Sequence, residues 1–245
     1  MKKRIWELDA LRGLCILGVV IVHLIFDLVD LYRIIDWEYP QWFAFIKDWG
    51  GVIFLILSGI CVTLGSHSVR RGLIVFGCGM LCTAVTYGMT KVGFHSSMII
   101  YFGVLHCLGI CMLLWSTYKN MPWWALLLHG LFLAVLGIYI GRLIPAFELS
   151  TTSRWLMPLG LYWKGFASSD YFPLLPHFGF FLIGAALGKT LYKRKASLLP
   201  KVNEKNAILR FFRFCGKHSL WIYLLHQPVL NGICYLILML KASGG

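Results

Sequence analysis

The chain has 245 residues, of which 59% are hydrophobic and 13% are charged, and its mean hydropathy is +0.74. This composition excludes an ordinary soluble domain and indicates a polytopic membrane protein. The formal net charge of +13 is not the footprint of a nucleic-acid partner, because the cations gather in connections between apolar segments, as membrane topology requires. We therefore predict an all-α integral membrane protein that binds no nucleic acid.

Seven apolar segments have about the length needed to cross a bilayer. The connections between them are mostly short, and none is long enough to fold as a soluble domain. We predict a bundle of about seven transmembrane helices that forms a single domain over residues 1–245. The segments span approximately residues 11–31, 49–66, 71–90, 99–117, 122–141, 174–192 and 218–240.

Lysine and arginine residues concentrate at the N-terminus and in the connections after the second, fourth and sixth segments. Nine basic residues lie between Lys189 and Lys217, against one acid, Glu204. The positive-inside rule therefore predicts a cytoplasmic N-terminus and, with seven segments, an external C-terminus. Because no small-residue cleavage site follows the charged start, the first segment should be a signal anchor of a multi-pass protein of the cell membrane.

The first segment is preceded by a charged cluster and contains a histidine within its apolar run. His23 lies eleven residues beyond Arg12, which is roughly 16 Å along a helix. If Arg12 marks the membrane surface, His23 lies near the bilayer midplane, where a polar residue is costly and usually functional. Arg12 could face inward to bind an anionic group, or it could simply form a surface ion pair with Asp9.

Two further histidines, His106 and His226, also lie inside apolar segments. A lone histidine on an apolar face is usually a packing residue, but three at mid-membrane depth, with Tyr223 and Gln227 beside one of them, favour a shared polar cavity. Histidine suits general-base chemistry near neutral pH. A metal site is a weaker alternative, because no carboxylate is expected at that depth. The eight cysteines lack zinc-site spacing and indicate neither a metal site nor a disulfide framework.

The connection over residues 142–173 is rich in aromatic residues and carries scattered charges. It could cover a carbohydrate site, since sugars stack on aromatic faces, or it could lie as an interfacial loop on the membrane. The basic connections likewise allow two interpretations. They could bind phosphate groups, or they could serve only topology and attraction to anionic lipid.

Four motifs in order resemble bacterial relatives of heparan-alpha-glucosaminide N-acetyltransferase, which are related to the acyltransferase-three superfamily. Together they span the chain from Arg4 to Pro228. The motifs are Asp9-x-Leu11-Arg12-Gly13 with His23, FGVLHCLG over residues 102–109, DYFPLLP over residues 170–176, and GKHSLWIYLLHQP over residues 216–228.

The resemblance implies a transmembrane acyltransferase domain that takes an acyl group, usually acetyl, from cytoplasmic acyl-CoA. The group would pass to a hydroxyl or amine of a sugar or glycan across the membrane. Acyl transfer needs a base and oxyanion donors, and His23 matches the essential first-helix histidine. The second base would be His226 or His106, with Tyr223, Ser219 and Gln227 as orienters or oxyanion donors. The donor-binding candidates are Asp9, Arg12, Arg70, Arg71 and Ser219, and the acceptor-binding candidates are Asp27, Asp170, His177 and Gln227.

No metal is implied, and acetyl-CoA (or another acyl-CoA) is the only cofactor-like partner besides membrane lipids. Gly- and Ala-rich faces would allow a homodimer. Two other classes stay open at this point. A proton-coupled transporter could use mid-membrane histidines as a relay, although the sequence lacks the internal repeat typical of transporters. A structural or signalling helical protein would tolerate loss of His23 and His226.

Overall fold

The computed structural model describes residues 4–92, 98–146, 153–202, 204 and 206–243. Helices dominate this part of the chain, which confirms the all-α prediction. The α-helices are α1 (Trp6–Phe26), α2 (Gln41–Leu64), α3 (Ser68–Lys91), α4 (Val104–Tyr118), α5 (Trp123–Ala146), α6 (Leu174–Leu191), α7 (Ala207–Lys217) and α8 (Ser219–Ser243). A π-helical turn (Asp27–Leu31) continues α1, and a 3₁₀ helix (Arg154–Leu159) precedes α6.

Six of these helices are long and apolar enough to cross a membrane, counting only the described residues. The segment predicted over 99–117 forms the shorter apolar helix α4, which has 15 residues, whereas a bilayer needs about 20. The structure therefore supports six of the seven predicted segments by length. The cytoplasmic position of the N-terminus stays a prediction.

The chain forms two compact units. Unit 1 contains residues 1–54 and 199–245, and unit 2 contains residues 55–198. Helix α2 passes from the first unit into the second. In unit 1, α1 packs against α7 and α8, and the π-helical turn also contacts α8. In unit 2, α3 packs on α4, and α6 packs on α5 and α4.

Glycines allow several of these helices to approach closely. In unit 1, a Cβ on Gly13 would overlap the carbonyl oxygen of Phe212, and a Cβ on Gly216 would overlap that of Asp9. In unit 2, a Cβ on Gly59 would likewise overlap a backbone carbonyl oxygen of α6, and a Cβ on Gly184 would overlap one of α2. Small residues that let backbones meet are the usual means by which membrane helices associate.

Helix α7 was not among the predicted helices and lies within the basic connection between the sixth and seventh predicted segments. Its apolar residues nevertheless recur at helical spacing among arginines in AILRFFRFCGK. The Asn206 side chain caps the helix by accepting a hydrogen bond from the Ile208 amide at 2.9 Å, as is common at helix N-termini. The connection thus ends in an amphipathic helix packed on α1.

Candidate active site

Two of the predicted histidines lie in contact within unit 1. The rings of His23 on α1 and His226 on α8 meet edge to face, with centroids 4.9 Å apart. The His226 side chain is buried, and its Nδ1 lies 2.5 Å from the Tyr223 carbonyl oxygen. Because a carbonyl oxygen can only accept, Nδ1 carries the proton and Nε2 presents a lone pair. No group among the described residues hydrogen-bonds to this buried Nε2.

The pair suits the uptake of a single proton. Two imidazolium cations with centroids 4.9 Å apart would repel each other strongly in a weakly polarisable interior. At most one of the two rings can therefore carry an added proton at a time. A pair of this kind can act as a general base for one acceptor group.

A chain of polar side chains extends from the histidine pair along α8. Gln227 donates from Nε2 to Oδ1 of Asp27 at 3.4 Å, and Asn231 donates to the Gln227 carbonyl oxygen at 2.8 Å. Tyr32 in turn donates its hydroxyl to Oδ1 of Asn231 at 2.7 Å. Asp27 is fully buried, and its Oδ2 has no hydrogen-bond partner in the described part of the chain. The side chains therefore link α8 to the π-helical turn that begins at Asp27.

Asp27, one of the acceptor-binding candidates, lies four residues beyond His23. In the structure, Asp27 is buried one helical turn beyond His23, where the helix changes to π geometry. Such π-helical turns occur frequently at functional sites. The described residues contain no cluster of three His, Cys, Asp or Glu side chains that could hold a metal ion.

The donor-binding candidates of unit 1 lie around the start of α1 and α8. Asp9 is buried and pairs with Arg4, whose Nε lies 3.1 Å from Asp9 Oδ2. Arg12 is half-buried on α1. Ser219 opens α8, seven residues before His226, which is about 10 Å along the helix.

His106 belongs to unit 2, and both of its ring nitrogens have partners. The Gly103 amide donates to Nδ1 at 3.2 Å, and Nε2 lies 3.2 Å from the Thr83 hydroxyl oxygen. Since that hydroxyl donates its proton to the Ile100 carbonyl at 2.6 Å, Nε2 must carry the hydrogen of the neutral ring. The hydrogen bonds of His106 therefore join the start of α4 to α3.

Asp170 and His177 also lie in unit 2 and make local contacts. The Val104 amide donates to Asp170 Oδ2 at 3.0 Å, so Asp170 satisfies an N-terminal amide of α4. The Phe172 amide donates to the Phe102 carbonyl oxygen at 2.9 Å. His177 lies on the first turn of α6, with Nδ1 2.7 Å from the Pro173 carbonyl oxygen.

We expect Asp170→Ala to lower the free energy of unfolding by about 1 kcal/mol, because the Val104 amide loses its cap. Chemical unfolding of the purified protein measures the change, and Asp36→Ala at an exposed loop position serves as control. Asp170→Asn keeps an oxygen for the Val104 amide and removes only the charge. A large rise in KM for Asp170→Asn would therefore indicate contact with the acceptor, whereas unchanged stability of Asp170→Ala would contradict the capping role.

The aromatic residues after the 3₁₀ helix pack mainly on one another. Phe166 lies 4.8 Å from the Tyr171 ring and 4.9 Å from the Trp163 ring, centroid to centroid. Burial raises the pKa of the Tyr171 phenol above its usual range, so the neutral hydroxyl donates to the Met157 carbonyl at 2.7 Å. Trp155, by contrast, is 90% exposed. Within the described residues 153–173, the open ring face is thus that of Trp155.

A basic cavity of about 900 Å³ lies in unit 2 around the α2–α3 connection. Arg70 lines it, and Arg71 instead places its guanidinium against Gly65. The Lys189 ammonium donates to the Lys119 carbonyl oxygen at 2.7 Å. This hydrogen bond connects α6 to the end of α4. Other polar and aromatic lining residues are Thr63, Ser66, His67, Ser68, Trp115, Ser116, Lys119, Trp123, Tyr192, Lys193 and Lys195.

The fold and the paired histidines define a helical integral membrane protein with a candidate general base in unit 1. The sequence model of the family described as "Heparan-alpha-glucosaminide N-acetyltransferase, catalytic" matches residues 4–228. The chain therefore belongs to this family of membrane acetyltransferases, which confirms the resemblance seen in the sequence. Comparisons with curated proteins and with solved structures give no match.

The four motifs that carried the resemblance meet in pairs. In unit 1, Gly13 stands against Gly216 and His23 against His226, which joins the first motif to the last. In unit 2, the motif over residues 102–109 and the motif over residues 170–176 meet through a parallel bridge between Phe102 and Tyr171. Each pair is far apart in sequence and close in the structure.

Several polar residues of these sites were missed by sequence reasoning. Asn231 lies four residues beyond Gln227 inside an apolar segment, and this spacing was a signal that could have identified it. Tyr32 and Thr83 carry no comparable signal, because their partners come from distant parts of the chain. The cavity residues His67 and Trp115 were also missed, whereas Lys193 and Lys195 belong to a basic connection that the sequence analysis considered for phosphate binding.

Proposed function

We propose that the protein transfers an acetyl or other acyl group from cytoplasmic acyl-CoA to a hydroxyl or amine of an extracytoplasmic sugar or glycan. The observation that carries this proposal is the contact between His23 and His226, in which His226 presents a basic Nε2. The family match spans parts of both compact units. It supports a single transmembrane acyltransferase domain over residues 1–245, located in the cell membrane.

In the proposed reaction, His23 removes the proton from the acceptor hydroxyl or amine, with His226 beside it as the second base. The acceptor oxygen or nitrogen attacks the thioester carbonyl carbon, and the bond from that carbon to the CoA sulfur breaks. CoA leaves as a thiolate and takes up the proton that the histidine pair had accepted. Direct transfer of this kind needs no acyl-enzyme.

Other predicted residues take supporting roles in this proposal. Gln227, through its amide, and Tyr223 are placed to orient the acceptor or to stabilise the oxyanion beside His226. Asp27 holds Gln227 and lies where an acceptor group could bind. For His106, the hydrogen bonds to Gly103 and Thr83 favour a positioning role. Asp170 and His177 remain proposals for acceptor contacts.

The basic cavity of unit 2 is our proposed site for the nucleotide end of CoA. CoA carries a 3′-phosphate and a diphosphate, which cations such as Arg70, Lys193 and Lys195 would bind by charge-assisted hydrogen bonds. The exposed indole ring of Trp123 supplies a flat face for an adenine base. Positive-inside counting predicts that the connection carrying Arg70 and Arg71 is cytoplasmic. Asp9, Arg12 and Ser219 stay secondary donor-binding candidates.

We expect Arg70→Ala to weaken binding of CoA about tenfold to a hundredfold, since a hydrogen bond to a charged group contributes about 1.5–3 kcal/mol. Calorimetry on the purified protein measures the change, with Arg142→Ala as the matched control. Binding of 3′-dephospho-CoA shows whether Arg70 contacts the 3′-phosphate. If it does, the Arg70→Ala variant should bind CoA and 3′-dephospho-CoA with equal affinity. Equal CoA affinity in Arg70→Ala, or a larger loss in Arg12→Ala, would place the nucleotide elsewhere.

A further inference from the structure

Helix α7 carries an apolar face that the protein of unit 1 leaves exposed. Ile208, Phe211 and Phe214 are 65%, 54% and 60% exposed, and their spacing of three places them along one side of the helix. On another side of the helix, Gly216 is buried against α1. The helix is therefore apolar on two sides, and α1 covers one of them.

Cations occupy the remaining side of α7. At about 100° per residue, Arg210, Arg213 and Lys217 fall within one arc of about 60°, which lies between the exposed apolar face and the side that contacts α1. Arg213 pairs with Glu204 at 3.4 Å, whereas Arg210 and Lys217 are exposed. Large aromatic residues on one face and cations on the other are typical of a helix that lies in the plane of a membrane interface.

The exposed face continues into an apolar crevice of about 420 Å³. Phe214 of α7 lines one part of it, Leu17 and Val20 of α1 line another, and Leu225 and Val229 of α8 complete it. Apart from His218 and His226, the lining residues are apolar. A hydrocarbon chain matches this lining, and the cations of α7 match an anionic headgroup.

We propose that α7 and this crevice bind an anionic phospholipid of the surrounding bilayer. The headgroup lies beside Arg210 and Lys217, and one acyl chain occupies the crevice. Charge complementarity selects an anionic lipid over a zwitterionic one, since basic residues near a membrane surface attract anionic headgroups. This lipid site goes beyond the proposed acetyl transfer, and His226 borders both sites.

A lipid bound here would stabilise the contact between α7 and α1. Gly216 of α7 stands against the backbone of Asp9 and Gly13, and α1 also carries His23. Lipid that binds the folded unit raises its stability by mass action. The melting temperature in detergent should therefore rise with added phosphatidylglycerol and less with phosphatidylcholine.

Native mass spectrometry of the full chain with dioleoyl-phosphatidylglycerol or dioleoyl-phosphatidylcholine tests the proposal. The wild type should retain phosphatidylglycerol preferentially. In the double variant Arg210→Gln/Lys217→Gln, the apparent affinity should fall about thirtyfold, since each basic residue contributes about a factor of five. The control Arg33→Gln/Lys164→Gln removes two exposed cations elsewhere and should bind as the wild type does. Val229→Trp, which fills the crevice, should also weaken binding.

Three outcomes would overturn the proposal, provided that circular dichroism shows the variants to be folded. The first is equal retention of the two lipids by the wild type, which would indicate general solvation by lipid. The second is unchanged phosphatidylglycerol affinity in the double variant. The third is a dimer without lipid adducts that dissociates in Phe211→Ala, which would assign the apolar face to a second copy of the chain.

Discussion

His23→Ala should lower acetyl transfer by about 10²- to 10⁴-fold, because the reaction loses its general base. The effect should appear in kcat, while binding of acetyl-CoA stays within a factor of two or so, since the ring is proposed to act on the acceptor proton. Proteoliposomes loaded with radiolabelled acetyl-CoA, with glucosamine and other amine- and hydroxyl-bearing sugars outside, measure the rate. His129→Ala is the matched control, because it removes a half-buried histidine from helix α5.

The contact between the His23 and His226 rings allows a further test with the double variant. If His23 and His226 act as one base, then the double variant should be little slower than the slower single variant, because residues that act as a unit are not additive. Multiplicative losses would show that the two histidines act in separate steps. Full transfer by His23→Ala would contradict the assignment, and proton flux lost in that variant without any CoA binding would favour the transporter.

Gly184→Ala should lower the free energy of unfolding by about 3 kcal/mol, at the upper end of the usual cost of overpacking. The added Cβ would overlap the Ile56 carbonyl oxygen, which is backbone and cannot turn aside as a side chain does. Helices α2 and α6 would have to separate along their contact. Unfolding in a mixed-micelle denaturant titration measures the loss.

Gly77→Ala provides the comparison for this variant. Gly77 also lies within a long apolar helix, α3, but nothing lies within 4 Å of the position that its Cβ would take. Its stability should change by no more than about 0.5 kcal/mol. Equal losses in the two variants would contradict this role of the close approach of α2 and α6, because the higher helix propensity of Ala favours both variants.

Much of the fold follows from elementary constraints of the bilayer. A segment that crosses hydrocarbon must satisfy its backbone internally, so long apolar runs become helices. This rule gave the positions of the spanning helices within several residues. It failed for α7, because an interfacial helix needs only one apolar face and its charges resemble those of a loop.

The sequence predicted which residues belong to the candidate site, but it did not predict which of them lie in contact. His23 and His226 could be selected by depth, because a polar group inside an apolar segment is costly. Which histidines meet depends on the rotation of helices about their axes, and that rotation is determined by glycine contacts such as Gly13 with Gly216. His106 satisfied the same depth rule, yet its hydrogen bonds join α4 to α3.

The π-helical turn after α1 makes the hydrogen bonds of Tyr32 depend on the number of residues between His23 and Tyr32. The Tyr32 amide bonds to the Asp27 carbonyl oxygen at 2.8 Å, five residues back, so the turn holds one residue more than an α-helix would. Regular α-helical winding of the same residues would rotate Tyr32 by about 100° and move it about 1.5 Å, away from Asn231. Homologous chains that keep the same hydrogen bonds should therefore have either this π-helical turn with eight residues between the histidine and the tyrosine, or an α-helical turn with one residue fewer. An alignment gap of one residue inside that interval would indicate that the homologue lacks the π-helical turn.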